Sequence, residues 1–540
     1  MEDPDVVKLL ETGLQRLDLD FNYRVYRHYE KELRFLKSVT CPPSLFQSLP
    51  AEMSINHLPQ LKNLNILVYI ASEDIERLDE IVNDVKMWYR SDNEDKKTLV
   101  LSTDISEPYF SESKIVEFFT HLIELNSEND FKFKIDKLPH MISSHTILNC
   151  FSNFNAENSI VTLAINPYMD DTGLQDLKKV DTFTSLKKLS VEFKEPPTSR
   201  KMVPFSFTFS SCSIVSLFIC SNSVRTIDLS FEKMSMLKKI HLKNCVLGFR
   251  CLDSLPSQLV DLNLDLINSD FHSRDNDLKL PKHLQTLQVT GYPHDGMFVK
   301  VLNAGYLDEL NALSFTMSES SQDKDSSSYE NLDATESQLK SLVHSFPPNI
   351  KRLNFENVPA ELLAHNTLPF VEDFIFSSLK LGENFNLSIL PSSHCLTLKT
   401  CFETFSGGLS SRLEFLDIEL SYYESSFMEF WEEFISPLQN LRCLNALIVL
   451  DGELDFRKLE FPPRLHTIEL INKVETCQII FNELPPSLVQ FGYSYSMDDS
   501  DPDDLEPNLV FFKLKEGQSA ESVTKIFDLR PQDRYNLAVY

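Results

Sequence analysis

Few residues in this chain have the types and the spacing that catalysis or ligand binding requires. The segment Gly291–Gly296 has the glycine spacing of a phosphate-binding loop, but Met and Phe follow it in place of the required lysine and hydroxyl residues. We therefore exclude a phosphate-binding loop. The side chains of His394, Cys395 and Cys401 could ligate a metal, but their order matches no common zinc spacing. We interpret them instead as including buried structural cysteines.

Other catalytic signatures are missing from the sequence. It contains no G-x-G-x-x-G, H-E-x-x-H or G-x-S-x-G motif. The 13 histidines are scattered, and none stands in a local arrangement with a serine and an acid. The sequence therefore predicts a protein without catalytic residues, cofactor or metal. An enzyme whose site is assembled only in three dimensions is the alternative that the sequence leaves open.

The composition narrows the function classes further. The 540 residues include 51 basic and 80 acidic side chains, which give a net charge of −29. This charge repels phosphate backbones, so we predict no nucleic-acid partner. Glycine is scarce, with 12 residues, whereas about 7% is usual. Because nucleotide-binding loops consume glycine, many nucleotide-binding folds become improbable.

Signals for a membrane or for secretion are not found in the sequence. No apolar run reaches the ~20 residues that a membrane-spanning helix needs. The first residues, MEDPDVVKLLETGLQ, are acidic and lack the basic-then-apolar order of a signal peptide. The ten cysteines form no C-x-x-C pair, and most lie in apolar runs, as reduced cysteines do. We expect no membrane partner and a location in the cytoplasm or nucleus.

The strongest pattern is a repeated apolar frame, apolar-x-x-apolar-x-apolar. Fifteen copies occur, and the middle residues of many consecutive copies are 21 to 26 residues apart. Alternating apolar residues predict a short strand with one buried face. The copies are Leu61/Leu64/Ile66, Ile160/Leu163/Ile165, Leu186/Leu189/Val191, Ile214/Leu217/Ile219, Leu237/Ile240/Leu242, Leu259/Leu262/Leu264, Leu284/Leu287/Val289, Leu310/Leu313/Phe315, Ile350/Leu353/Phe355, Val371/Phe374/Phe376, Leu413/Leu416/Ile418, Leu444/Leu447/Val449, Leu465/Ile468/Leu470, Leu488/Phe491/Tyr493 and Leu509/Phe512/Leu514.

Neighbouring copies of the frame must stack, because one short unit cannot bury its apolar face alone. Proline often comes just before the frame, as in LPSQL at 255–259 and FPPRL at 461–465. Proline fixes its own φ and keeps the preceding residue extended, so it can end one segment and lead into the next strand. A degenerate copy is expected near Cys395. One additional pair, Ile227 and Leu229, lies 10 residues after its predecessor, and we interpret it as a chance match.

Amphipathic helices are predicted between the early strands and become rarer later. Ser113 can cap a helix whose apolar face includes Phe119 and Ile123. Ser426 and Glu429 have the spacing of a capping box. Apolar residues follow this box at helical spacing, namely Phe427, Phe430, Trp431, Phe434 and Ile435. The outer face is therefore predicted to combine helices and short turns.

These frames resemble the leucine-rich-repeat superfamily over most of the chain. The resemblance implies an α/β leucine-rich-repeat solenoid, with a curved parallel sheet and with helices and irregular turns on the convex face. Asn244 and Asn357 come nearest to the asparagine that usually follows each strand in this superfamily. We expect a small α-helical N-terminal module at 1–45, the solenoid at 46–515, and a C-terminal cap or tail at 516–540.

The N-terminal segment resembles a degenerate F-box. The text LDLDFNYRVYRHYEKELRFLKSV follows the F-box order loosely, with Asp18 in place of the usual proline. The resemblance implies a substrate receptor of a cullin–RING ubiquitin ligase, in which this segment binds a Skp-type adaptor. The adaptor-binding residues would be Leu17, Phe21, Val25, Tyr29, Leu33 and Leu36. The alternative is a plain helical cap on the first repeat, since the same apolar residues suit both roles.

The solvent-facing side chains of the predicted strands form the candidate binding surface. They include Asn263, Asp265, Gln288, Asn354, Glu356, Asp417, Glu419 and Glu469. An extended concave surface usually binds a protein, and an acid-rich one favours a basic partner. We predict a non-catalytic protein-binding receptor, most concretely an F-box/LRR-type substrate adaptor. The alternative is a leucine-rich-repeat scaffold or regulatory protein unconnected to ubiquitin.

Overall fold

The structure is a computed structural model that describes the following residues of the chain: 132–135, 143–196, 204–265 without 222 and 224, 280–291, 307–317, 347–358 without 348, 368–377, 382–399, 402–420, 426–449, 452–472, 477–481 and 487–495, with single residues between 113 and 138. For the strands at 16–18, 38–41, 63–69, 98–104, 508–512 and 535–539, the backbone alone is described. The chain divides into two compact units, unit 1 (Met1–Asp270) and unit 2 (Phe271–Tyr540).

The described part of unit 1 alternates short strands with helices. Its strands are β1 (Arg16–Asp18), β2 (Ser38–Cys41), β3 (Asn63–Tyr69), β4 (Thr98–Asp104), β5 (Lys132–Ile135), β6 (Ile160–Ile165), β7 (Lys188–Phe193), β8 (Phe205–Thr208), β9 (Ser216–Ser221), β10 (Thr226–Ser230), β11 (Lys239–Lys243), β12 (Val246–Leu247) and β13 (Asp261–Asp265). Its described helices are α1 (Ser144–Asn153), α2 (Asp171–Val180) and α3 (Phe249–Asp253), with a 3₁₀ turn at Glu157–Ser159.

The described part of unit 2 consists mainly of strands. They are β14 (Thr286–Gly291), β15 (Ala312–Met317), β16 (Arg352–Glu356), β17 (Asp373–Ser377), β18 (Gly382–Asn386), β19 (Cys395–Lys399), β20 (Phe402–Ser406), β21 (Phe415–Glu419), β22 (Cys443–Ile448), β23 (Gly452–Asp455), β24 (Thr467–Asn472), β25 (Cys477–Phe481), β26 (Gln490–Tyr495), β27 (Asn508–Phe512) and β28 (Tyr535–Val539). The other described elements are α4 (Phe427–Phe430), a π-helical turn (Trp431–Ile435) and 3₁₀ turns at Leu387–Ile389 and Phe456–Lys458.

The apolar frame forms a parallel ladder in each unit, as the sequence predicts. The middle residues of successive frames pair directly across neighbouring strands. In unit 1 they are Leu163, Leu189, Leu217, Ile240 and Leu262. One predicted frame was out of register: in Leu444/Leu447/Val449, Leu447 is half-buried and pairs with Glu419, Val449 is 48% exposed, and Leu444 itself takes the middle position. In unit 2 the middle residues are Leu287, Leu313, Leu353, Phe374, Leu396, Leu416, Leu444, Ile468 and Phe491. All of these side chains are buried, so each ladder buries one continuous apolar layer. Leu396 confirms the degenerate copy expected near Cys395.

The residues that flank the frame explain how each strand starts and ends. The Pro256, Pro281 and Pro462 carbonyls accept hydrogen bonds from the backbone N–H three residues later, at the first apolar residue of the frame. These tight turns confirm that proline leads the chain into the next strand. Asn244 and Asn357 follow β11 and β16 with φ of 54° and 60°, a left-handed conformation that asparagine tolerates well.

Each unit also has strands outside its ladder. In unit 1, β8, β10 and β12 form a second parallel sheet. In unit 2, β18 pairs with β20, and β23, β25, β27 and β28 form another sheet. The interpretation of Ile227 and Leu229 as a chance match was therefore wrong, because both are fully buried in β10. The frame at Leu509 was also misassigned, because Leu509 pairs with Gln478 of β25, outside the ladder.

Behind the unit 1 ladder lie helices. Phe151 of α1 makes ring contacts with Phe119 and with Phe133 of β5. Phe119 and Ile123 are both buried in helical backbone, which agrees with the apolar face predicted for the helix capped by Ser113. α2 adds Leu177, which is fully buried.

Behind part of the unit 2 ladder lies a cluster of aromatic rings around α4. The predicted capping box is confirmed, because Glu429 N–H donates to Ser426 Oγ at 3.2 Å and Ser426 N–H donates to the Glu429 carboxylate at 3.2 Å. Trp431 is fully buried, and its indole N–H donates to the Glu460 carbonyl at 2.9 Å. The five apolar residues predicted after the cap are all buried.

The parallel strand pairing of unit 1 continues into the N-terminal segment. β1 pairs with β2 and β2 with β3, which places Leu17, Val39 and Leu64 opposite one another. Leu17 and Val39 are therefore in strand backbone. The rest of the predicted helical stripe at 19–37 lies outside the described residues, so the helical module stays a prediction there.

Candidate functional site

The candidate site is the open face of the ladder, defined as the strand side chains that alternate with the buried frame residues. Alternation sends these side chains away from the apolar layer. In unit 2 the central row of the open face runs strand by strand in direct register. Its members are Gln288, Ser314, Asn354, Ile375, Thr397, Asp417, Asn445, Glu469 and Gly492.

A hydrogen-bonded polar group lies at the β15–β16 part of this face. The Asn354 side-chain amide donates to Ser314 Oγ at 3.3 Å and to Glu356 Oε1 at 3.0 Å. The Thr316 hydroxyl donates to Glu356 Oε2 at 3.2 Å. The Asn354 side-chain carbonyl oxygen is buried and has no hydrogen-bond partner among the described residues. A buried acceptor without a donor is costly, so this group would gain from a ligand that donates a hydrogen bond.

An acidic cluster lies further along the same face. Asp417 and Glu469 occupy the same row two strands apart, which corresponds to about 10 Å between backbones. Glu419 extends from the same strand as Asp417. Burial raises the pKa of Asp417, and the negative charge of Glu469 raises it further, although Lys399 at 4.0 Å opposes both effects. The cluster therefore holds negative charge where water screens it poorly.

Two thiols border the acidic cluster. Cys395 and Cys443 lie in the adjacent row on either side of Phe415. Burial raises the pKa of both thiols, and neighbouring carboxylates raise them further. The thiols are therefore protonated near neutral pH. Cys395, predicted to be a buried structural cysteine, is only half-buried and lies on the open face.

Aliphatic side chains are also exposed on this face. Ile375 is 40% exposed and Ile471 36% exposed, and Leu447, which is half-buried, pairs with both Glu419 and Ile471 in register. Acids beside exposed aliphatic groups form a surface of the mixed composition that protein interfaces have. Such a surface suits an extended peptide with both charged and apolar side chains.

The structure brings six of the eight predicted surface residues together in unit 2. They are Gln288, Asn354, Glu356, Asp417, Glu419 and Glu469, and all are half-buried. The other two, Asn263 and Asp265, belong to unit 1. The prediction that Asp265 faces solvent is wrong, because its side chain accepts a hydrogen bond from the Asn244 backbone N–H at 3.2 Å and the residue is only 8% exposed. It closes the turn after β11 and does not extend into solvent.

The predicted adaptor-binding residues fall largely outside the described residues. Leu17 lies in β1, but its side chain is not described. Phe21, Val25, Tyr29, Leu33 and Leu36 lie outside the described part of the chain, so their role stays a prediction.

Sequence reasoning missed three polar members of the central row, Ser314, Thr397 and Asn445. A usable signal was present for Ser314, which lies between the two strand positions of its frame. Asn445 was hidden because the predicted frame at Leu444/Leu447/Val449 is out of register. Thr397 was hidden because the frame around it is degenerate. Within the described residues, no group of three or more His, Cys, Asp or Glu side chains could hold a metal ion. No described helix is both long and apolar enough to span a membrane.

Comparisons with known proteins give little beyond this geometry. No family model matches the chain, and no curated protein matches it. Among solved structures, the chain is similar to CroV588, whose crystal structure is described as that of a novel circular LRR protein. The match covers 97% of this chain and 68% of that chain, with 12% sequence identity and a TM-score of 0.32. The repeat ladder is therefore assigned from the strand register of this chain.

Proposed function

We propose that the open face of unit 2 binds an extended, basic protein segment and performs no catalysis. The observation that carries this proposal is the acidic cluster, in which half-buried Asp417 and Glu469 lie two strands apart in one row and burial raises the pKa of Asp417 despite Lys399 at 4.0 Å. Keeping this charge half-buried opposes folding, and a lysine or arginine from a partner would relieve the cost. The exposed Ile375 and Ile471 would contact apolar side chains of the same segment.

The test is a titration with a short fluorescent peptide of lysines, serines and one leucine, followed by fluorescence anisotropy. The variant Asp417→Asn/Glu469→Gln removes two negative charges from the face. We expect it to weaken binding by roughly three- to tenfold, since exposed ion pairs contribute about 0.2–1 kcal/mol each. Wild-type affinity should also fall as the ionic strength rises to about 0.15 M.

A matched control variant removes two negative charges from unit 2 at positions outside the open face. Glu432 and Glu433 are exposed on the π-helical turn, and Glu432→Gln/Glu433→Gln changes the net charge by the same amount. We expect this control to bind like wild type. Equal weakening in both double variants would show a general charge effect and overturn the proposal.

A finer proposal is that this binding serves a ubiquitin ligase, through a Skp-type adaptor at Leu17–Leu36. Its support is the F-box-like spacing of the sequence. The alternative is that this segment is a plain helical cap on the first repeat of a scaffold. A pull-down with a Skp-type adaptor separates them. Retention by wild type and loss in Phe21→Asp/Val25→Asp, with cooperative melting preserved, supports the adaptor role. No retention by wild type supports a scaffold unconnected to ubiquitin.

A further inference from the structure

The open face of unit 1 differs in charge from the chain as a whole. From β5 to β13, its strand positions carry five lysines against three carboxylates, a net charge of +2 in a chain of net charge −29. The lysines are Lys132, Lys134, Lys188, Lys239 and Lys243, and the acids are Glu192, Asp261 and Asp265. On the open face of unit 2, two basic residues stand against five acids, a net charge of −3.

Three of these lysines surround a pair of aromatic rings. Phe218 and His241 occupy the central row on adjacent strands, and their ring centroids lie 4.8 Å apart at 88°. Lys239 and Lys243 flank His241 on β11. Lys188 of β7 pairs in register with Ser216 of β9, and Ser216 pairs with Lys239 of β11, so the two lysines lie in one row two strands apart. The result is a patch with an aromatic centre and basic margins, which we define as the basic patch (Lys188, Phe218, Lys239, His241 and Lys243).

The lysines of the basic patch reach solvent. Lys188, Lys239 and Lys243 are all exposed. Lys239 is 3.1 Å from Asp261 Oδ2, but 62% of its side chain remains exposed. A surface pair of this kind is weak, so Lys239 can exchange this partner for another carboxylate. Phe218 and His241 are half-buried and offer apolar area between the charges.

We propose that the basic patch binds an acidic protein segment, with carboxylates on the lysines and one apolar side chain on the Phe218–His241 pair. The charge of the patch is complementary to such a segment. A nucleic acid is disfavoured, because a polyanion of many charges is repelled by the net charge of −29, whereas a short peptide carries few charges. The site and its partner differ from those of the proposed function, so each can fail without the other.

The test uses the full chain and a fluorescent peptide of glutamates, glycines and one leucine. The variant Lys188→Glu/Lys243→Glu reverses two charges of the basic patch and leaves the Lys239–Asp261 pair intact. We expect its affinity for this peptide to fall roughly tenfold. The control Lys178→Glu/Lys233→Glu makes the same charge change at exposed positions of unit 1 outside the ladder, and we expect it to bind like wild type.

Two further variants keep the test decisive. Lys188→Gln/Lys243→Gln removes the two charges without introducing repulsion, and we expect it to weaken binding by a smaller factor than the reversal variant. It takes the place of the reversal variant in the test if that variant unfolds. Phe218→Ala leaves the charge unchanged and should weaken binding roughly threefold through lost apolar contact. The proposal is overturned if wild type does not bind the peptide, if the Lys178/Lys233 control loses as much affinity, or if single-stranded DNA of equal length binds more tightly than the peptide.

The same proteins separate this proposal from the proposed function. The basic-patch variants should keep wild-type affinity for the lysine peptide, and Asp417→Asn/Glu469→Gln should keep wild-type affinity for the glutamate peptide. If the wild-type protein binds only one of the two peptides, the proposal made for the other peptide fails.

Discussion

Unit 1 and unit 2 build their ladders from the same apolar frame but present opposite charges on their open faces. The frame residues must be apolar in every repeat, because they form the shared interior. The residues between them are not constrained by that interior, so His241 and Lys243 in one unit correspond to positions that hold Asn354 and Glu356 in the other. Binding chemistry can therefore diverge without a change of fold.

The two units also differ in what lies behind the ladder. Helices α1 and α2 back part of unit 1, whereas the aromatic rings of α4, the π-helical turn and neighbouring strands back part of unit 2. Strands of a second sheet can replace a helix at this position, because both cover the apolar side of the frame. Four tests measure how strongly particular contacts in each unit contribute to stability.

The largest effect is expected for Trp431→Ala. Trp431 is fully buried and makes ring contacts with Phe427, Phe456 and Phe461. We expect the free energy of unfolding to fall by about 3–5 kcal/mol, measured by urea denaturation. A change below about 1 kcal/mol would contradict the central place given to Trp431 in the backing of unit 2.

A steric test compares one glycine from each unit. Gly173 lies in the first turn of α2, where an added Cβ would collide with the Tyr168 carbonyl oxygen. Gly408 has open space at that position. We expect Gly173→Ala to lower the free energy of unfolding by about 1–3 kcal/mol, and Gly408→Ala to leave it near the wild-type value. Equal melting temperatures for the two variants would argue against the close approach of α2 to the preceding loop.

A test by pH concerns Asp455. The Arg457 guanidinium, with Nη2 at 2.7 Å, holds the pKa of this buried carboxyl at about 2. Because its pKa in the folded state lies below the unfolded value of about 3.9, Asp455 stabilises the fold above pH 4, and this contribution is lost as the pH falls toward 2. We expect Asp455→Asn to cost about 1–2 kcal/mol at pH 7 and to flatten the stability curve over that acid range. An unchanged slope would contradict the Arg457 contact.

The smallest effect on stability is expected from substitutions of two serines that precede helices. Ser426 forms both bonds of its capping box, whereas Ser143 precedes α1 without a side-chain cap bond. We expect Ser426→Ala to cost about 1 kcal/mol and Ser143→Ala to have little effect on the thermal midpoint. The reverse order would be inconsistent with the cap geometry.

The sequence predicts the ladder well, because each buried frame residue repeats at a fixed position relative to its strand. It predicts Asp417 and Glu469 as surface acids for the same reason. Asp265 is mispredicted because its burial depends on the left-handed turn at Asn244, which folds the backbone over the carboxylate. The strand at Ile227 is missed because it lies only 10 residues after the preceding frame, and because a strand of a second sheet breaks the single-frame rule. The lysines of unit 1 were overlooked because the net charge of the whole chain hides local differences.

Carboxyl footprinting of the wild-type protein tests the central claim most directly. Carbodiimide activation with glycine ethyl ester as the amine that couples to the carboxyls, read by mass spectrometry, would be compared with and without a saturating N-acetylated peptide in which arginine replaces lysine. We expect labelling of Asp417 and Glu469 to fall, while Glu432 and Glu433, which are exposed on the π-helical turn outside the ladder, label as before. Unchanged labelling of Asp417 and Glu469 under saturating peptide, or protection of Glu432 and Glu433 instead, would contradict binding on the open face.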